Sequence, residues 1–114
     1  MQPVMKMLLD ENLPKKLKGE FDTSHEVSTV ADMGWQAKKN GELLGLMVVH
    51  VFEALVTMDK NLPYQQNIGK FPIKLIVRDA ANNKLATLRP LIPRLLQMVR
   101  QPSEDQVLIV PSEP

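Results

Sequence analysis

The stretch "VMKMLLDENLP", Val4–Pro14, runs a near-continuous apolar segment into an aspartate, an asparagine and a proline, and "ALVTMDKNLP", Ala54–Pro63, repeats the order. A short apolar run without polar alternation is the pattern of a strand covered on both faces, as in a parallel sheet packed between helices. A proline a few residues later suits the first turn of a helix, where its missing N–H costs nothing. Each copy therefore reads as a strand-to-helix connector that presents a carboxylate, Asp10 or Asp59, at a strand end. The residues around the two copies do not match, so the phrase is not an internal duplication.

Working outward, "LPKKLKGEF" predicts a short helix with Leu13, Leu17 and Phe21 on its apolar stripe, ended by Gly19. "HEVSTV", His25–Val30, alternates like a half-buried strand. "ADMGWQAKKN" reads as a loop, with Asn40 as N-cap of a helix over Gly41–Glu53 whose apolar positions are Leu43, Leu44, Met47, Val48 and Val51. Strands come next at Ala54–Met58 and Pro72–Val77. In "KLATLRPLIPRLLQMVR", Leu85, Leu88, Ile92, Leu95, Leu96 and Val99 mark a buried helical face, and Pro90 and Pro93 place the start of the regular helix near them. "QVLIV", Gln106–Val110, supplies a last strand.

Strands thus alternate with helices in the order β-α-β-α-β-(turn)-β-α-β. That order predicts an α/β protein, a three-layer α/β/α sandwich around a mainly parallel central sheet. The expected organisation is a single domain over 1–114, with a core at about 4–100 and a frayed end at 111–114. In such sheets ligands bind at the carboxyl ends of the strands, near the point where strand order reverses.

Composition narrows the chemistry. The 114 residues are 44% hydrophobic and 24% charged, an ordinary globular balance, and no apolar run reaches membrane-spanning length. The N-terminal residues do not read as a signal peptide, so a cytoplasmic protein is expected. With no cysteine and only His25 and His50, thiolate and ordinary zinc sites are out. A net charge of +1 gives no bulk attraction to polyanions, so any nucleic-acid contact falls to local clusters such as "PKKLK" and "AKKN". The serines form no nucleophile elbow, and the scattered glycines form no phosphate loop.

Carboxylate chemistry is left. If the two apolar strands are neighbours in a parallel sheet, Asp10 and Asp59 end about 5 Å apart. Two carboxylates that close repel unless a cation lies between them, and Mg²⁺ or Mn²⁺ takes such hard oxygen ligands. Aspartate after a strand also serves as a helix cap, and both readings stay open for each copy. Glu42, in the first turn of its helix, either complements the macrodipole or joins the metal. Glu11 and Asp79 are reserve acids. Asn12 and Asn61 each read as the cap of the next helix or turn. Trp35 either anchors its loop to the core or stacks on a base.

"KMLLDENLP", "DMGWQAKKNGELL", "LVTMDKNLPYQQN" and "NNKLATLRPLIPRLL" together resemble, from about Lys6 to Leu96, the bacterial PIN-like family catalogued as a domain of unknown function. That family is related to the PIN-domain nucleases, which include VapC-type toxins of toxin–antitoxin pairs. The resemblance implies an α/β/α sandwich whose acidic cluster binds magnesium or manganese and cuts RNA phosphodiesters. Asp10 matches the acid ending the first strand, Glu42 the helix acid and Asp59 the later strand-end acid. Asn83 matches an asparagine ahead of the last long helix, and the only candidates for a fourth acid are Asp79 and Glu11. The expected partners are RNA, held by Lys15, Lys16, Lys38, Lys39 and Lys60, a small antitoxin protein and a second copy of the chain, with no membrane. The rival expectation is a PIN-like binding module without catalysis. A receiver domain also places acids at parallel strand ends, but it needs a further hydroxyl residue and a lysine that "LLDEN" and "TMD" do not supply.

Overall fold

Met7, Leu9, Val56 and Ile76 point into one apolar core, while Leu8, Leu55, Leu75 and Val77 point into another. Both faces of the central strands are covered, which is why they read as continuous apolar runs. The computed structural model describes residues 5–21, 25–62, 68–78, 80, 82–100 and 105–110. Its strands are β1 (Lys6–Leu9), β2 (Glu26–Thr29), β3 (Ala54–Thr57), β4 (Lys74–Arg78) and β5 (Val107–Val110). They form one sheet in the order β2-β1-β3-β4-β5, with every neighbouring pair parallel. The α-helices among the described residues are α1 (Val30–Met33), α2 (Asn40–Val49), α3 (Leu85–Leu88) and α4 (Ile92–Arg100).

Two layers flank the sheet. Leu17, from a 3₁₀ turn at Lys15–Glu20, joins Leu88, Ile92, Leu95 and Leu96 of α3 and α4 in the first core. Val30 of α1, Leu43, Leu44 and Met47 of α2, and Trp35 fill the second. The α/β class, the alternating order and the parallel sheet agree with the sequence expectation. The core extends beyond residue 100, because β5 completes the sheet and its Val110 is fully buried. Residues 111–114 lie outside the described residues.

Several local expectations change. The segment after Asp10 is 3₁₀ rather than α, and Gly19 lies inside it, with the chain leaving at Phe21. Leu13, Leu17 and Phe21 are nevertheless all buried at their four-residue spacing. Part of the expected loop at Ala31–Asn40 is a helical turn: Thr29 and Asp32 form a reciprocal capping box, with Thr29 N–H to Asp32 Oδ2 at 2.9 Å and Asp32 N–H to Thr29 Oγ1 at 3.0 Å. Asn40 is the first residue of α2 rather than its cap; Lys39 holds the cap position in extended backbone. The expected strand at Pro72–Val77 starts later and continues to Arg78.

The end of α2 is the largest departure. The apolar pattern predicts a helix reaching Glu53 with Val48 and Val51 buried, yet α2 stops at Val49, and these valines are 38% and 72% exposed. The chain turns back through a Schellman motif. Phe52 N–H bonds to Met47 O at 2.8 Å and Val51 N–H to Val48 O at 3.1 Å, and Met47 and Phe52 are both buried in the second core. Val51 takes the left-handed position at φ 63°, which for a β-branched residue is strained. The end of α1 uses the same motif with Gly34 at φ 73°.

Two further features hold the sheet's far side. Gln106 Nε2 donates to the carbonyls of Ile68, Phe71 and Ile73 at 2.7, 2.9 and 2.9 Å, which locks the approach to β4 against β5. Arg78, at the end of β4, is fully buried and donates from Nη2 to Leu88 O at 2.9 Å, while its Nε and Nη1 find no partner among the described residues. Burial lowers its pKa to about 10.

Candidate active site

The sheet order 2-1-3-4-5 reverses direction between β1 and β3, and both expected acids lie at that point. Leu9 is in register with Val56, and Asp10 N–H continues the ladder to Val56 O at 2.9 Å. Asp10 and Asp59 therefore leave the sheet at adjacent strand ends, as the doubled phrase requires.

Thr57 joins them. Its side chain is wholly buried, and its hydroxyl donates to Asp10 Oδ2 at 2.8 Å. The same oxygen accepts from Asp59 N–H at 3.1 Å and from Asn12 Nδ2 at 3.2 Å. Asn12 Oδ1 in turn accepts from Met58 N–H at 3.4 Å, and Asn83 Nδ2 donates to Asn12 O at 3.2 Å. Asn12 is thus a cross-link between the β1 and β3 connectors rather than the cap expected of it. Asn83 reaches the same connector from the segment before α3. The capping role falls to the aspartates: Asp10 Oδ1 accepts from Glu11 N–H at 2.8 Å and Asp59 Oδ1 from Asn61 N–H at 2.9 Å.

Asp10 is half-buried, and its pKa lies above the ordinary carboxylate value. Burial is the main cause, and the negative charges of Glu11 and Asp59 add to it. The hydrogen bonds from Thr57 and Glu11 N–H pull the other way without cancelling it. The charge of Asp59 is the smallest of these influences.

The other acids are placed differently. Glu42 is exposed and stands 3.9 Å from Lys38, one turn before it. Glu11 Oε1 accepts from Ala37 N–H at 3.1 Å, holding the loop ahead of α2. Among the described residues no three Asp, Glu, His or Cys side chains gather as a metal cluster. Asp79 lies outside the described residues. The two aspartates are hard oxygen donors of the kind that Mg²⁺ takes together with water.

Lys15 and Lys16 come after β1, Lys38 and Lys39 precede α2, and Lys60 comes after β3. All are exposed, and their connectors all belong to the carboxyl edge of the parallel sheet. The edge also carries a cleft of about 150 Å³ beside Asp10, walled by Leu13, Lys15, Thr29, Val30 and Gln36. A larger open hollow of about 470 Å³ lies at the opposite edge around Glu53, Phe71, Lys74 and Gln106, away from the paired aspartates. Trp35 is a core residue, edge-on to Phe52 at 5.8 Å between ring centroids, so it anchors its loop rather than stacking on a base.

No helix among the described residues is long and apolar enough to cross a membrane.

Comparison with protein-family models, with curated proteins and with solved structures finds no match to this chain. Thr57 escapes the sequence reading; it is the one hydroxyl in an otherwise apolar strand, which is the signal it offers. Asn12 is singled out in the sequence as a cap, and its cross-linking bonds to the β3 connector are what the sequence does not show.

Proposed function

We propose that this chain is a PIN-like, metal-dependent endoribonuclease, the toxin half of a toxin–antitoxin pair. The observation that carries the reading is the convergence of Asp10 and Asp59 at the β1/β3 switch point, pinned by one buried hydroxyl. Two carboxylates on one sheet edge offer the hard oxygen donors that a divalent cation takes alongside water.

In this reading Asp10 and Asp59 hold one Mg²⁺ or Mn²⁺. Bound there, the ion supplies a more acidic water and neutralises charge gathering on the phosphate. Thr57 fixes the Asp10 carboxylate through Oδ2 and the Asp59 backbone through its N–H, so both ligands arrive oriented. Asn12 and Asn83 tie the connectors that carry them. The rim lysines, Lys15, Lys16, Lys38, Lys39 and Lys60, hold the RNA backbone electrostatically. Glu42 stays paired with Lys38 and steadies the basic loop.

The test is cleavage of mixed RNA with and without Mn²⁺ by the parent, Asp10→Asn and Asp59→Asn. Metal-dependent cleavage by the parent and its loss in both variants is expected; undiminished cleavage by Asp10→Asn, purified free of contaminating nuclease, refutes the assignment. A second reading, a PIN-like module that binds RNA or an antitoxin without cutting, draws on Glu42 being engaged by Lys38 rather than grouped with the aspartates. That reading predicts RNA binding by the parent with no cleavage at any Mn²⁺ concentration.

A further inference from the structure

The cleft that Asp10, Glu11 and Lys15 edge extends past these groups to Leu13, Val30 and Gln36, which the metal and the RNA backbone leave unused. From its size, walls and framing we infer that it takes one unpaired nucleobase of single-stranded RNA, adenine before the others, next to the phosphate at Asp10. The inference rests on the nuclease reading for its substrate and adds the part of that substrate which is recognised.

Size sets the first limit. About 150 Å³ is half the lower bound of roughly 300 Å³ for drug-sized pockets, yet far more than one water needs. A single ring-sized group fits and a dinucleotide does not. The walls set the second. Leu13 and Val30 offer apolar surface for a flat ring, while the exposed Gln36 amide offers a donor and an acceptor side by side. Such an amide pairs in bidentate fashion with the N6 and N7 edge of adenine. Sequence-specific RNA readers act in this way on splayed-out single-stranded bases. Lys15 sits at the mouth, where a backbone phosphate runs.

The framing is the third observation. Ala37 comes directly after Gln36 and holds φ 64°, a left-handed conformation that costs a non-glycine residue energy. Its N–H is held by Glu11 Oε1 at 3.1 Å, across a sequence separation of 26 residues. Trp35, on the other side of Gln36, is anchored in the core. Gln36 is therefore fixed between two tethers, one of them attached to the residue after Asp10. A wall held in one position before the ligand arrives loses less freedom on binding. Glu11, a reserve metal acid by sequence, acts here as the strap of that wall.

The experiment is a titration of the metal-free protein with adenosine, cytidine and uridine, read by backbone amide NMR shifts, for the parent and Gln36→Ala. Nucleosides carry no phosphate, so the reading is independent of metal and of cleavage. Saturable shifts at Thr29, Val30, Gln36 and Ala37, tightest for adenosine and weakened at least about tenfold by Gln36→Ala, are expected. Gln36 is exposed, so the variant should melt with the parent. Absence of saturable shifts at about 10 mM adenosine, equal binding of the three nucleosides, or a Gln36→Ala variant that binds as the parent does overturns the inference. Adenosine binding by a protein that cuts no RNA removes the nuclease and leaves the base subsite; cleavage without adenosine binding does the reverse.

Discussion

Replacing Thr57 by valine keeps the shape of a fully buried side chain and deletes the one atom on which the aspartate pair is hung. Three hydrogen bonds meet at that hydroxyl, at 2.8, 3.1 and 3.2 Å. The two neutral ones contribute about 1 kcal/mol each, and the bond to the Asp10 carboxylate about 1.5–3 kcal/mol. Burial of an added methyl offsets about 1 kcal/mol. The net loss is about 2–4 kcal/mol, which in a domain of this size lowers Tm by roughly 10 °C. Urea unfolding followed by circular dichroism measures it directly. The pH dependence carries a second, sharper signature. In the parent, Asp10 has a folded-state pKa above 3.8, so its ionised form costs stability above that pKa, and the cost is relieved as pH falls through it. The Thr57 hydroxyl lowers that pKa, so Thr57→Val raises it further and enlarges the cost. The gap between variant and parent is therefore widest near neutral pH and narrows in acid as Asp10 takes up its proton. A loss under about 0.5 kcal/mol, or a gap unchanged between neutral and acidic pH, refutes the reasoning.

Val51→Gly should stabilise the protein by about 1 kcal/mol in the same urea assay, since glycine removes the left-handed strain at φ 63° and the exposed valine side chain contributes little burial. An unchanged or lower midpoint would show that the turn carries no strain. Arg78→Met should stabilise by about 1–3 kcal/mol, because it removes a buried cation whose Nε and Nη1 have no partner among the described residues, at the cost of about 1 kcal/mol for the bond to Leu88 O. The folded-state pKa of about 10 lies below the ordinary guanidinium value, so the cost of this cation is full below pH 10 and fades only as pH rises above it. The gain measured at pH 7 should therefore persist at pH 9; destabilisation at both values contradicts it.

The parallel sheet is legible in the sequence because its central strands are buried on both faces and so carry no polar alternation. Leu8 and Leu9 face different cores, as do Leu55 and Val56. The meeting of Asp10 with Asp59 is legible as a consequence of adjacency, which the β1·β3 register then supplies. Thr57 and Asn12 are not, since a hydroxyl at a strand end acquires a role only once the neighbouring strand is known. The Lys38–Glu42 pair is legible in its four-residue spacing. The end of α2 misleads for another reason. "MVVHV" keeps apolar periodicity through a turn that usually signals itself with glycine, and here that position is Val51.

The central claim is that Asp10 and Asp59 share one cation, and Mn²⁺ binding monitored by electron paramagnetic resonance tests it most directly. One Mn²⁺ per chain is predicted for the parent, with binding lost in Asp10→Asn and in Asp59→Asn while both variants stay folded. Equal Mn²⁺ binding by the parent and either variant, or none by the parent at millimolar ion, contradicts it.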